Sequence, residues 1–192
     1  MQLIKYGLPT GERMENIVEF EYKNEYAIEK TTGNDRLIIS LKKGYVNMML
    51  NLLDKNNNDK YFILYVLIVS RCDNELGRYQ IANPLTYDEL ITFCKKYSDY
   101  LETDGRHHLW IMNYDTKDLI VYDHHNVLYA YENLESKIEI LNSNGYKKVE
   151  KIKFSAPHCH CYNKENDIIE NEIIKNNEWL ITPLKEQDEY NN

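Results

Sequence analysis

The sequence predicts an α+β fold in which about four helices pack on a mixed or mainly antiparallel sheet. Alternating or continuous apolar stretches recur along the chain and indicate strands. Between them, apolar residues spaced three and four positions apart indicate amphipathic helices. No linker rich in Pro, Gly or Ser interrupts the 192 residues, so we expect a single domain over residues 1–192.

The first half of the chain is predicted to contain one helix among several strands. Its most informative segment is Tyr61–Val69, whose continuous apolar and β-branched or aromatic residues predict a buried central strand. The other predicted elements are an irregular lead-in at 1–16, an antiparallel hairpin within 17–29, a strand at 36–41 and a helix at 44–55.

The second half alternates helices with shorter strands. Thr86 and Glu89 fit a capping box, which predicts a helix that begins there and continues to Leu101. Further along we predict a helix that begins after Asn133 and stops at Gly145, a strand at 149–154, a last helix at 167–180 and a frayed tail at 183–192.

The stretch from Arg106 to Tyr131 contains four of the six histidines and predicts two or three consecutive strands. A turn centred on Asp115 and Thr116 sets the register of the first two strands. In that register Trp110 faces Val121, His108 faces Asp123, and His107 faces His124.

Histidines at a strand end are more often hydrogen-bonding surface residues than ligands or catalysts, and this interpretation stays open. The alternative is a site, because a His108–Asp123 pair would raise the imidazole pKa and fix its tautomer, as a general base requires. The candidate catalytic residues are His107, His108, Asp123 and His124.

The segment His158-Cys159-His160-Cys161 would direct its two histidines to one face of an extended strand. Beside the hairpin, they could join His107, His108, His124 or His125 in a mononuclear zinc or iron site, with Asp123 or Asp104 completing the shell. The preferred set is His107, His124, His158 and His160. We expect instead a chain without metal or other cofactor, in which the cysteines are core residues and the histidines form hydrogen bonds near the surface, and the metal site is the alternative.

A second polar patch follows the predicted central strand, where rigid elements often present binding residues. The alternative is a solvated loop with surface ion pairs. Together with an arginine that precedes the hairpin, the candidate binding residues are Arg71, Asn74, Glu75, Arg78, Tyr79 and Arg106.

Composition restricts the classes of function. With 31 acidic against 23 basic residues, the net charge of −8 argues against nucleic acid and anionic membranes as partners. The longest apolar run is about half of a membrane-spanning helix, and the first residues lack a secretory pattern, so we expect a cytoplasmic protein. No HExxH helix, paired CxxC knuckles, GxSxG elbow, phosphate-binding loop or dinucleotide fingerprint occurs.

The segments NELGRYQ (74–80), DGRHHLWI (104–111) and VYDHHNVLYAY (121–131) resemble those of small uncharacterised bacterial proteins. In size, acidity and α+β pattern the chain is also similar to immunity proteins of bacterial toxin systems. This resemblance implies a cytoplasmic protein-binding module that neutralises a basic toxin or enzyme, with exposed tyrosines as the interface. The alternative is a histidine-dependent, metal-assisted hydrolase whose site lies at a corner formed by His107, His124 and His158.

Overall fold

Two sheets organise the chain, which the computed structural model describes over residues 3–11, 16–55 and 59–189. The strands are β1 (Tyr6–Thr10), β2 (Asn16–Glu19), β3 (Glu25–Glu29), β4 (Arg36–Ser40), β5 (Tyr61–Leu67), β6 (Gly77–Ile81), β7 (His107–Asn113), β8 (Leu119–Tyr122), β9 (Leu128–Tyr131), β10 (Lys147–Lys148), β11 (Cys159–His160) and β12 (Trp179–Thr182). The helices are α1 (Tyr45–Leu52), α2 (Tyr87–Lys96), α3 (Ser98–Thr103), α4 (Leu134–Ser143), α5 (Asp167–Lys175) and α6 (Glu186–Glu189).

The larger sheet has nine strands in the order β10-β3-β4-β9-β8-β7-β5-β6-β12. Only the β10–β3 pair is parallel, and the other neighbours are antiparallel. A smaller sheet has the order β11-β1-β2. It contains His160 on β11, and Tyr6 of β1 packs in the smaller apolar cluster. The predicted α+β class with a mixed, mainly antiparallel sheet is confirmed.

The two faces of the large sheet have different coverings, because successive strand residues point to opposite faces. On one face Leu109 and Ile111 join the main apolar core, to which helix residues such as Met49 and Leu90 contribute. On the other face Tyr129 packs in a smaller cluster, whose further members include Tyr6, Tyr22 and Ile152. The less heavily covered second face is where the cleft described below lies.

Several local predictions are confirmed. Trp110 pairs with Val121 in the β7–β8 hairpin, as the predicted turn requires. Thr86 and Glu89 form the predicted capping box at the start of α2. Tyr61–Leu67 is an interior strand between β7 and β6, with Tyr61, Ile63 and Tyr65 fully buried.

The predictions for residues 1–29 were partly wrong. Tyr6–Thr10 form a strand where an irregular lead-in was expected, and residues 12–15 lie outside the described residues. The two alternating stretches of 17–29 do not pair as a hairpin, since β2 pairs with β1 whereas β3 pairs with β4. Alternation specifies which face of a strand is apolar, but not which strand lies beside it.

The C-terminal part also differs from the predictions. Residues 149–154 carry no strand, α5 ends at Lys175, and Trp179–Thr182 form the edge strand β12 against β6. The predicted frayed tail contains α6, where Asp188 is buried and pairs with Arg78. Residues 190–192 lie outside the described residues.

A buried ion network holds the C-terminal half against the start of β7. The guanidinium of Arg106 is fully buried and binds Asp104 through two donors, at 2.8 and 3.1 Å. It also binds Glu170 and Asp167 of α5. Because buried charges need partners and hydrogen bonds, this network fixes the position of α5 relative to the sheet.

Replacing Arg106 with methionine is expected to lower the free energy of unfolding by roughly 3–5 kcal/mol, because Asp104 and Glu170 would stay buried without their counter-charge. The matched control is Arg71→Met, since the Arg71–Asp167 pair is partly exposed and should contribute at most about 1 kcal/mol. Urea denaturation at pH 7 measures both variants. Equal losses in the two variants would contradict this account of the network.

Candidate functional site

Three histidines from distant parts of the chain meet at one end of the large sheet. His124 and His125 lie in the turn between β8 and β9, and His160 lies on β11. Their candidate ligand nitrogens all lie within 4.8 Å of one another. Three imidazoles at this spacing form a donor set that suits zinc or iron.

Local structure explains why the turn presents both histidines. Asn126 adopts a left-handed conformation with φ 65°, which asparagine tolerates better than most residues. The carboxylate of Asp123 accepts hydrogen bonds from the backbone N–H groups of His125 at 3.0 Å and of Val127 at 3.3 Å. The turn is therefore held by a buried carboxylate, and its two histidines are fixed with it.

His160 reaches the turn because the backbone at residues 160–161 passes close to Gly105, which lies just before β7. It pairs with Tyr6 across β11 and β1, and Gly105 donates its backbone N–H to Cys161 at 2.9 Å. A Cβ at Gly105 would lie 2.9 Å from the Lys5 carbonyl oxygen and 3.0 Å from Cβ of His160. Only glycine permits this approach, so Gly105 is part of what positions His160.

Hydrogen bonds determine which ring nitrogen of His125 and of His160 is free. The Nδ1–H of His125 donates to Asp123 at 3.0 Å, and the Nδ1–H of His160 donates to the His124 carbonyl oxygen at 3.1 Å. Their Nε2 atoms are thus left as acceptors in the neutral form, and outer acceptors of this kind typically orient metal-binding histidines. Nδ1 of His124 is buried and has no hydrogen-bond partner among the residues that the structure describes.

Burial disfavours the charged forms of His124 and His160. Burial and the neighbouring imidazoles hold the pKa of His124 far below its ordinary value, and burial followed by His125 lowers the pKa of His160 to about 4. Burial raises the pKa of Asp123, but the hydrogen bond and charge of His125 outweigh it, so that its pKa is lowered overall. Neutral imidazole is the form that binds metals.

A cleft of about 820 Å³ opens beside the cluster, within the range of small-molecule sites. His125 and His158 line it, and the ring centroids of these two residues are 5.3 Å apart. The Nδ1–H of His158 donates to the Ser155 carbonyl oxygen at 2.8 Å, which leaves Nε2 free as an acceptor. A space large enough for a ligand thus borders the histidine cluster at His125.

The structure separates the histidines that the sequence placed together. Strand pairing ends at Leu109 and Tyr122, so the turn that follows no longer sets His107 opposite His124. His107 points into the main core, where its ring stacks between Tyr65 and Tyr100 and its two nitrogens have no partner among the described residues. The sequence predicted a corner formed by His107, His124 and His158, and this prediction is wrong for His107.

His108 lies beside the cluster but not as predicted. Its ring centroid is 4.5 Å from that of His124, and its Nε2–H donates to the Asp188 carbonyl oxygen at 3.1 Å. Asp123 binds His125 instead of His108. Burial lowers the pKa of His108 despite the nearby Asp123, where the sequence predicted a raised pKa.

The six candidate binding residues do not form one exposed surface. Arg78 and Tyr79 are buried on β6, and Arg106 is buried in the ion network. Asn74 donates to Glu170 at 2.8 Å, which joins the polar patch to α5 rather than to the histidines. Only Arg71 and Glu75 keep substantial exposure, and Arg71 pairs with Asp167.

Sequence reasoning left His125 outside the preferred metal set and did not identify the cleft. The pair His124-His125 in a turn was a usable signal, because two adjacent histidines can both reach one site only where the backbone turns. Nothing in the sequence signals the cleft, whose lining comes from β3, β4, β9 and residues 150–158.

Comparison of the chain with protein-family models, curated proteins and solved structures finds no significant match. Among the described residues, no helix is both long and apolar enough to cross a membrane.

A buried lysine lies close to the histidine cluster. Nζ of Lys5 donates to the Leu101 carbonyl oxygen at 3.0 Å and lies 3.6 Å from the ring centroid of Tyr122. Burial lowers the pKa of Lys5 to about 7, although the charges of Asp123 and Asp104 oppose this shift. The unfolded chain therefore binds more protons at this position than the folded chain between pH 7 and 10.5.

Because of this difference, Lys5 should destabilise the fold most at pH 7 and below, and progressively less as the pH rises toward 10.5. Comparison of wild type with Lys5→Met by urea denaturation between pH 7 and 10 isolates this contribution. The stability of wild type relative to the variant is expected to increase steadily with pH. Lys43→Met, at an exposed position, is the control, and a pH-independent difference for Lys5→Met would contradict the prediction.

Proposed function

We propose that this protein is a metal-dependent hydrolase in which His124, His125 and His160 hold a divalent transition metal, zinc or iron. The observation that carries the proposal is the convergence of three imidazoles whose ligand atoms lie within 4.8 Å of one another. The buried Nδ1 of His124, which lacks a partner among the described residues, gives further support, since a buried nitrogen without a partner costs free energy.

A catalytic role is favoured over a purely structural one for two reasons. Structural zinc sites usually have four protein ligands, whereas three ligands leave a coordination position for water or substrate. The cleft that His125 and His158 line gives a substrate access to that position. Two of the three polar patches of the sequence meet here, namely the turn histidines and the 158–160 segment, whereas the patch around Asn74 contacts α5 instead. On the strength of this partial convergence we rank the hydrolase above the protein-binding module.

His158 and Asp123 would have separate roles in the proposed hydrolysis. A metal lowers the pKa of bound water, so that hydroxide is available near neutral pH. His158, whose Nε2 is free to accept, would take up a proton from water and return it to the leaving oxygen or nitrogen of an ester or amide, while a metal held by His124, His125 and His160 would supply Lewis-acid activation. Asp123 orients His125 through the Nδ1–H hydrogen bond throughout.

Metal binding tests this proposal directly. Protein purified without a histidine tag is expected to carry about one zinc or iron per chain by elemental analysis. His125→Ala and His160→Ala should each lower zinc affinity by more than ~100-fold in a chelator competition, and Asp123→Asn by about 10–100-fold.

The matched control is His107→Phe, because that ring stacks between two tyrosines away from the cluster. It should keep full zinc affinity, with a melting temperature equal to or above that of wild type. Equal zinc affinity in wild type and the His125 and His160 variants, or no binding at all, would overturn the proposed metal site.

A second proposal is a cytoplasmic protein-binding module of the immunity type that binds a basic toxin. Its support is the net charge of −8 and the edge strand β12, where Leu180 and Ile181 are 56% and 48% exposed. Exposed apolar edge strands can pair with another chain. The expected tyrosine interface has little support, since Tyr114 and Tyr162 are the tyrosines among the exposed large hydrophobic residues of the described chain.

If a partner binds at β12, Leu180→Lys with Ile181→Lys should abolish binding of a cationic partner protein measured by calorimetry, while His125→Ala should leave binding unchanged. The reverse pattern would assign the partner to the histidine site instead.

A further inference from the structure

We infer that the substrate of this site is an elongated monocarboxylate, with its carboxylate held by Arg36 at one end of the cleft and its ester or amide at the histidine cluster. The inference rests on the proposed function and adds the substrate class. It depends on three features of the cleft, namely the state of Arg36, the apolar floor, and the distance between the two polar ends.

The guanidinium of Arg36 is held in place by its neighbours and keeps free N–H donors. Its Nε–H donates to Glu29 at 2.6 Å, one Nη1–H donates to the Tyr131 hydroxyl at 2.9 Å, and the guanidinium carbon lies 4.4 Å from the ring centroid of Tyr129. Arginine has five N–H donors, so three remain after these two hydrogen bonds. The side chain is 29% exposed and lines the cleft. A rigid guanidinium with free donors matches the two oxygens of a carboxylate.

The charge around Arg36 favours a single negative charge on the ligand. Glu29 already compensates one positive charge of the cleft, and the Lys30 ammonium pairs with Asp35. Glu150 and Lys151 also line the cleft and add one charge of each sign. Each of these three cations thus has an acidic counterpart, so the cleft has no excess positive charge to stabilise a phosphate dianion. The three free N–H donors of Arg36 are still available for hydrogen bonds to a carboxylate, which carries only one negative charge.

The floor between the two ends is apolar. Ala27, Ile38 and Tyr129 form one row across β3, β4 and β9, and all three side chains line the cleft. Phe154 and Ile152 add further apolar lining. The middle part of the ligand is therefore expected to be hydrocarbon or aromatic, to match the apolar side chains of this row.

Strand geometry gives the length of the ligand. Arg36 lies three residues along β4 from Ile39, which pairs with Leu128 at the start of β9. Three residues of strand span about 10 Å, and His125 lies just beyond that start, in the preceding turn. A ligand that contacts both Arg36 and a metal at the histidines therefore spans about 10 Å or somewhat more.

Bifunctional hydroxamates test this inference on the zinc-loaded protein. Suberic acid monohydroxamate carries a metal-binding hydroxamate and a carboxylate on a six-methylene chain, and its primary amide analogue lacks the charge. Calorimetry is expected to show at least ~10-fold tighter binding of the carboxylate, since charge-assisted hydrogen bonds to arginine are the strong ones. Acetohydroxamate serves as the probe for the metal position alone.

Arg36→Gln should remove the preference for the carboxylate while acetohydroxamate binding stays unchanged, which also shows that the variant is folded at the histidines. Lys30→Met is the matched control, because this cation lines the same cleft but its side chain is 82% exposed, and the variant should keep the preference.

The outcomes separate the two proposals. If zinc does not bind, the proposed metal site fails. If zinc binds but acetohydroxamate does not bind the zinc-loaded protein, the open coordination position that the hydrolase proposal needs is absent. If acetohydroxamate binds but wild type does not distinguish the carboxylate from the amide, or Arg36→Gln keeps the distinction, the hydrolase proposal stands and the substrate inference is overturned.

Discussion

The arrangement of the C-terminal half depends on the buried guanidinium of Arg106. It is fully buried against Asp104 and Glu170, and its Nη2 donates to the Asn163 carbonyl oxygen at 2.8 Å. Asp104 in turn accepts the Asn163 N–H at 2.9 Å. Because each of these charges would be costly alone in the interior, the segment at Asn163 has one favourable position relative to β7.

That position determines where His160 lies, three residues before Asn163. The close approach at Gly105 and the β11–β1 pairing then carry the segment to the turn that Asp123 holds. The histidine cluster is thus supported from two sides by buried carboxylates, one in an ion network and one in a turn. A metal site needs such support, because ligands on free loops cannot hold a fixed geometry.

The two faces of the large sheet have different coverings. Helices cover the first face and bury most of the tyrosines, including Tyr65 and Tyr100 around His107. The second face is covered by irregular chain at 149–158, which leaves the cleft above Tyr129. Regular helices pack a sheet face densely, whereas an irregular segment can leave a ligand-sized space, so the site lies on the second face.

The sequence by itself determined the α+β class, the α2 capping box, the β7–β8 register and the fact that histidines gather near one end of the sheet. These features follow from local spacing, because alternation, helical period and turn residues act over a few positions. Only the tertiary structure decided that His125 and not His107 joins His124 and His160, that β2 and β3 pair with different strands, and that Arg36 lines a cleft. Those outcomes depend on contacts between residues far apart in the chain, which a local pattern does not encode.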